Sequence, residues 1–179
     1  MKIKIILLGG KAQNGKTSAA AFLAANLSEK GMRVFRIAFA DYVKYVCAQY
    51  FDWDGAKDSR GRHILQYVGT EIVRSRDEDF WSDSVVRLVK IFAPEYDYVL
   101  IDDWRFPNEY TRWAHWGMRD VITVRVQRKG FVSPLTISQQ NHASETALDG
   151  FVTDHVFIAS NLNELREQCE IFARDVLLV

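Results

Sequence analysis

An α/β fold, a parallel sheet of about five strands with helices on both faces, is predicted by three features of the sequence. Short apolar runs alternate with helix-length segments along the 179 residues. The first run passes through a glycine-rich stretch into a helical pattern, so strand, loop and helix form one unit. Strands joined through helices cross over right-handedly, which leaves few other topologies.

Lys2 to Leu8 is an apolar run ending at Gly9-Gly10, the pattern of a strand buried on both faces. Thr17 to Lys30 carries Phe22, Leu23 and Leu27 among alanines and is stopped by Gly31, as a helix with a glycine past its end. Arg33 to Ala40 predicts the second strand, and Asp41 opens a helix with Val43, Val46, Cys47 and Tyr50 at helical spacing. Asp52 to Asp58 is polar and breaks the pattern; its Asp52-Trp53-Asp54-Gly55 follows a helix rather than a strand and reads as a turn. Ile64 to Arg76 and Phe80 to Phe92 predict two helices, the second ended by Pro94. Tyr96 to Ile101 is the third strand, closed by Asp102-Asp103, and Pro107 stands at the first turn of a helix that reaches Trp116 and stops at Gly117. Val121 to Val126 is the fourth strand. The stretch after it has little periodicity and is long for a plain connection, which marks residues about 127–145 as a lid. His155 to Ala159 is the last strand, and Asn161 with Glu164 predicts the start of a helix through Leu165, Cys169, Phe172 and Val176.

Composition narrows the function classes. Hydrophobic residues make up 48% and charged residues 26%, a globular balance that excludes a disordered tail or a disulfide miniprotein. Lys and Arg (23) equal Asp and Glu (23), so no basic excess exists to hold a long nucleic acid, and any phosphate must be held locally. Cys47 and Cys169 lie far apart in helical patterns and read as reduced core thiols of a cytoplasmic protein. The opening apolar run is too short for a membrane span and lacks a cleavage site, so no membrane partner is expected. Scarce proline and the lack of repeats predict one domain over residues 1–179.

Gly10 to Thr17 (GKAQNGKT) matches G-x-x-x-x-G-K-[ST] without a gap, between a predicted strand and a predicted helix. Glycines let the backbone close around phosphate oxygens, and the helix starting near Gly15 adds its positive end. Lys16 supplies charge to the β and γ phosphates, Thr17 offers its hydroxyl to Mg²⁺, and Gly10, Asn14, Gly15 and Ser18 complete the cradle. The expected ligand is a nucleoside triphosphate, most simply ATP with Mg²⁺, in a P-loop NTPase fold. Guanine recognition by N-K-x-D is missing, which argues against a nucleotide switch. Asp102 and Asp103 follow the third strand, where a carboxylate meets the Mg²⁺ shell, and Asp103 is the metal candidate beside Thr17.

Asp103 to Glu109 (DWRFPNE) resembles the D-x-R-F-P-N-E signature of phage and bacterial deoxynucleoside monophosphate kinases, P-loop kinases of adenylate-kinase-like fold. Further matches follow the same order. Phe39-Ala40-Asp41 with Lys44 resembles F-A-D-x-x-K, and Leu65-Gln66 with Gly69-Thr70-Glu71 and Arg74 resembles L-Q-x-x-G-T-E-x-x-R. Trp81 and the H-x-S-E of His142 to Glu145 complete the set, while Ile158-Ala159-Ser160 stands where the family often carries Asn-Asp-Gly. The resemblance implies a nucleoside monophosphate kinase-like fold with a lid. It implies an acceptor region over about residues 41–92, with substrate contacts from Asp41, Lys44, Gln66, Thr70, Glu71, Arg74, Trp81, Arg105 and Glu145.

The residues themselves agree with a phosphorylated acceptor. Its dianion must be fixed by basic forks, and Arg60, Arg62, Arg74 and Arg76 cluster between the second and third strands. Arg105 and, at the lid, Arg128 are placed to neutralise charge on the transferring group, so Lys16, Arg105, Arg128 and Asp41 are the catalytic candidates. Asp41 has three readings: a helix cap, a sugar ligand, or a base if the acceptor were an alcohol. The expectation is a kinase passing the ATP γ-phosphoryl group to a small nucleotide, a (deoxy)nucleoside monophosphate, with a homodimer left open. The rivals are a kinase for another metabolite, such as a dephospho-coenzyme-A-like or phosphomevalonate-like acceptor, and a P-loop ATPase or regulatory module.

Overall fold

A computed structural model describes residues 3–178; Lys2, which the sequence places in the first strand, lies outside them. The strands are β1 (Lys4–Gly9), β2 (Val34–Ile37), β3 (Tyr98–Trp104), β4 (Val121–Arg128) and β5 (His155–Ala159). They form one parallel sheet in the order β2-β3-β1-β4-β5. The principal helices are α1 (Lys16–Glu29), α2 (Ala40–Tyr50), α3 (Ser59–Gln66), α4 (Phe80–Phe92) and α5 (Pro107–His115). Two short helices, α6 (Ile137–Gln140) and α7 (Ala143–Thr146), precede β5, and α8 (Leu162–Phe172) closes the chain.

β1 sits between β3 and β4 and is covered on both faces, which is why its sequence is apolar without alternation. Ile6 and Leu8 enter the core beneath α1 and α8, while Ile5 and Leu7 enter the core beneath α4 and α5. All four are fully buried, each worth about 1.5–3 kcal/mol of transfer free energy before entropy is charged against it. A third, smaller cluster of Val43, Cys47, Val68 and Trp81 binds α2 to α4. At the free edge, Gln168 of α8 accepts the Ile158 amide at 2.9 Å and donates to its carbonyl at 2.7 Å, so a side chain caps the last strand's open ladder.

Several boundaries differ from the sequence reading, each for a tertiary reason. β2 ends at Ile37 rather than Ala40, because the Phe39 and Ala40 amides turn to the Asp103 carboxylate at 2.9 and 2.8 Å and the chain enters α2. β3 continues through both aspartates to Trp104, pairing again with β1 at Gly9 after a register shift. The helix expected from Ile64 starts at Ser59, where Asp58 accepts the Gly61 amide at 2.7 Å. Its continuation, Tyr67–Arg74, is a π-helix rather than an α-helix. The expected lid gives its first two residues to β4 and folds α6 and most of α7 from its second half. Cys47 and Cys169 are both buried and free, and burial pushes the Cys169 thiol up to about 12. No helix among the described residues is long and apolar enough to cross a membrane.

Candidate active site

A cleft of about 700 Å³ runs between the loop after β1 and the helices α2 to α4, in the position an open parallel sheet provides. On one wall is the loop Gly10 to Gly15. Gly10 has φ +139° and lies so close to β4 that a Cβ would come within 2.4 Å of the Val126 carbonyl oxygen; Gly15 has φ +96° as the chain turns into α1. Asn14 braces the loop, donating to the Ala12 carbonyl at 3.0 Å and accepting the Arg128 amide at 2.8 Å. Lys16, the first residue of α1, is 7% exposed and donates to the carbonyls of Gly10 at 2.9 Å and Lys11 at 2.8 Å. Burial, and then the Arg105 charge, pull its ammonium down to about 7. A phosphate beside it would act in the opposite sense. Thr17 borders the cleft, whereas Ser18 does not.

The acidic pair on β3 divides its work. Asp103 is half-buried; desolvation raises its carboxyl, and its oxygens accept the two amides that start α2. Asp102 also borders the cleft and lies 3.6 Å from Arg36. Mg²⁺ needs only one or two protein carboxylates when phosphates and water complete its shell, so the hydroxyl of Thr17 with these carboxylates fits that ion. No cluster of three or more His, Cys, Asp or Glu able to hold a metal occurs among the described residues.

The opposite wall is built from α2, α3 and the π segment. Asp41, the second residue of α2, is not its N-cap, which is Phe39; it reaches back to accept the Ala38 amide at 2.9 Å and pairs with Lys44 at 2.8 Å. Arg62, Gln66, Thr70 and Arg74 all border the cleft at intervals of four residues. In an uninterrupted α-helix each four-residue step overshoots by about 40°, so Arg74 would sit about 120° off that line. The wider π turn cancels the drift. Glu71, next to this stripe, is exposed outside the cleft. Trp81, 2% exposed, donates its indole N–H to the Gly69 carbonyl at 2.9 Å; it is both a core side chain and part of the cleft wall.

The D-x-R-F-P-N-E string forms a clamp. Glu109, 1% exposed, accepts the Arg105 and Phe106 amides at 2.7 and 3.1 Å and pairs with the Arg74 guanidinium. That guanidinium lies 4.0 Å above the Phe106 ring, while Asn108 donates to the Glu78 carbonyl at 2.8 Å and to Asp79 at 2.9 Å. Burial pushes the Glu109 carboxyl up to about 7 against the pull of Arg74. Arg105 donates to Glu145 at 2.8 Å, and the other oxygen of Glu145 accepts the Ala12 amide at 2.8 Å. One carboxylate therefore ties α7, the phosphate loop and the arginine after β3. His142 caps α7 through Ser144, and Arg128 stacks on Phe131 at 5.0 Å, outside the cleft.

Thus Lys16, Thr17, Asp41, Lys44, Gln66, Thr70, Arg74, Trp81, Asp103, Arg105 and Glu145 meet in one cleft; the phosphate loop borders it through Ala12 and Gln13, while Gly10, Asn14, Gly15, Ser18, Glu71 and Arg128 do not join them. Sequence reasoning missed the site roles of Arg36, Lys57 and Glu109. Only Glu109 had a signal, as the last letter of a motif already quoted.

No protein-family model matches the chain, and no curated protein matches it. Among solved structures, a protein designated APE1195 is 15% identical with a TM-score of 0.52, over 98% of this chain and 97% of that one. A mutant of the Mycobacterium tuberculosis APS kinase CysC is 14% identical with a TM-score of 0.48, over 93% of this chain and 94% of that one. Such identities speak to fold alone. The sheet order, the flanking helices and the loop between β1 and α1 define a parallel α/β fold with a P-loop.

Proposed function

We propose that the protein is an ATP-dependent kinase that transfers the γ-phosphoryl group to a (deoxy)nucleoside monophosphate. The observation that carries this reading is convergence. Residues from five separated strings, at 16–17, 41–44, 66–74, 103–109 and 145, border a single cleft, with the phosphate loop on one wall and the acceptor strings on the other.

Lys16 and the loop amides would hold the triphosphate, and Thr17 with the β3 carboxylates would hold Mg²⁺, which when bound neutralises charge on the phosphate oxygens. Arg105 is aimed into the cleft by Glu145 and can take up charge that develops on the transferring group. A phosphomonoester is ionised at neutral pH, so the acceptor needs alignment rather than a strong base. Asp41 fits that requirement: its carboxylate already serves an amide and Lys44, as expected of a group that positions Lys44 or a sugar hydroxyl. Trp81 and the residues around Gly69 offer the apolar surface for a base.

The test is ADP formation from Mg-ATP across a panel of deoxy- and ribonucleoside monophosphates. Turnover should rise strongly with at least one monophosphate over water alone, because closure on the acceptor excludes water from the phosphoryl group. Fast hydrolysis indifferent to every monophosphate would replace this reading with an ATPase.

A further inference from the structure

From Leu7 to Gly9, β1 advances two residues while its partner β3 advances three, Ile101 to Trp104, so β3 carries one extra residue at the cleft. Ile101 and Trp104 therefore enter the same core, and Asp102 and Asp103 share the level between them. Their situations differ. Both oxygens of Asp103 are spent on the Phe39 and Ala40 amides. Asp102 accepts no hydrogen bond among the described residues; its one charged partner there is Arg36, 3.6 Å away and beyond hydrogen-bond distance. Arg36 stands opposite Leu100 in the pairing of β2 with β3, hence on the sheet face that α1 covers, and its side chain is 41% exposed. Arg36, Asp102 and Thr17 of α1 all border the cleft. Against the burial and the Arg105 charge that lower the Lys16 ammonium, Asp102 acts in the opposite sense, which places its charge within reach of the phosphate loop.

We infer that Arg36 is a resting counter-ion, which holds Asp102 in the metal-free chain and yields it to Mg²⁺ when the nucleotide binds; the assignment rests on the kinase reading above. A carboxylate with little solvent and no donor is costly to leave bare, and a loose ion pair compensates it without a hydrogen bond to break. A divalent ion attracts the same carboxylate twice as strongly as a guanidinium at equal distance, so the exchange favours the metal. Of the two aspartates, Asp102 is then the one open to the ion. Arg36 also sets how steeply nucleotide binding depends on the metal: without its charge, Asp102 repels a metal-free polyphosphate more strongly and attracts the ion more strongly.

The test is calorimetric binding of ADP to the full chain, with and without Mg²⁺, in the parent, Arg36→Met, Arg36→Lys and Asp102→Asn. The readout is the ratio of the two affinities, which a general structural loss leaves unmoved. Arg36→Met should enlarge that ratio about tenfold, Arg36→Lys should stay near the parent, and Asp102→Asn should shrink it about tenfold. An unchanged ratio in Arg36→Met overturns the counter-ion, and an unchanged ratio in Asp102→Asn overturns Asp102 as the carboxylate open to the ion; neither result touches the acceptor, so the kinase reading stands. If the parent binds no ADP, the kinase reading fails, and the pair is judged with Mn²⁺ alone, followed by electron paramagnetic resonance. Binding by Arg36→Met that the double variant Arg36→Met, Asp102→Asn loses supports the exchange; any other result overturns it.

Discussion

Arg74 and Glu109 form a buried ion pair that joins the π segment to the start of α5 beneath the Phe106 ring. Removing one partner strands the other. Arg74→Met should therefore destabilise the fold by about 3–5 kcal/mol, whereas Arg74→Met with Glu109→Met should recover most of that loss. Denaturant unfolding of both singles and the double gives the coupling energy. Strictly additive effects would mean that the pair carries no interaction.

The same carboxylate makes stability depend on pH. An unfolded glutamate ionises near 4.5, and burial holds Glu109 near 7 in the folded chain. Between those values the folded state keeps a proton that the unfolded state releases, so this group's contribution to stability falls as pH rises through the window and is constant above it. Unfolding measured at pH 5 and pH 8 should show the parent losing stability relative to Glu109→Gln. A pH-independent difference would contradict the raised value.

Lys16 gives the sharpest test of the phosphate loop. Lys16→Met keeps the buried stem and removes the charge, so the chain should stay folded while phosphoryl transfer falls by several orders of magnitude. Near-normal turnover in a folded variant would take the loop out of the mechanism.

Asp41→Asn separates a positioning carboxylate from a base. The contact to the Ala38 amide and a polar contact to Lys44 survive in the variant, so kcat should drop about tenfold or less, against about 10²–10⁴-fold where a carboxylate must accept a proton in the reaction. Single-turnover rates are the measurement, since product release would mask the chemical step.

What could be read from the sequence was what repeats or abuts. The strands at β1, β4 and β5 and the helix α4 follow from local periodicity, and the phosphate loop from adjacent letters. Partnership across the fold has no local signature. That Asp103 spends itself on the Phe39 and Ala40 amides and that Glu109 matches Arg74 both depend on which elements pack together. Glu71 illustrates the converse: its place in a motif string selected it, yet a position next to Thr70 on a helix points away from the wall that Thr70 lines. Arg128 was chosen for its position after a strand, and its side chain instead stacks on Phe131.

The π segment Tyr67–Arg74 also sets a rule for insertions and deletions. Its wide turn is equivalent to surplus chain carried inside a helix, so deleting one residue there would let the turn relax to α geometry without breaking the helix. In the shortened α-helix Arg74 would follow Arg62 by eleven residues, within about 20° of its line, so the side chains after the deletion would keep their direction and Arg74 would stay opposite Glu109. A homologue one residue shorter here could therefore present the same arginine to the cleft from a plain α-helix, whereas losing a residue from the regular turns of α3 would rotate everything after it by about 100°.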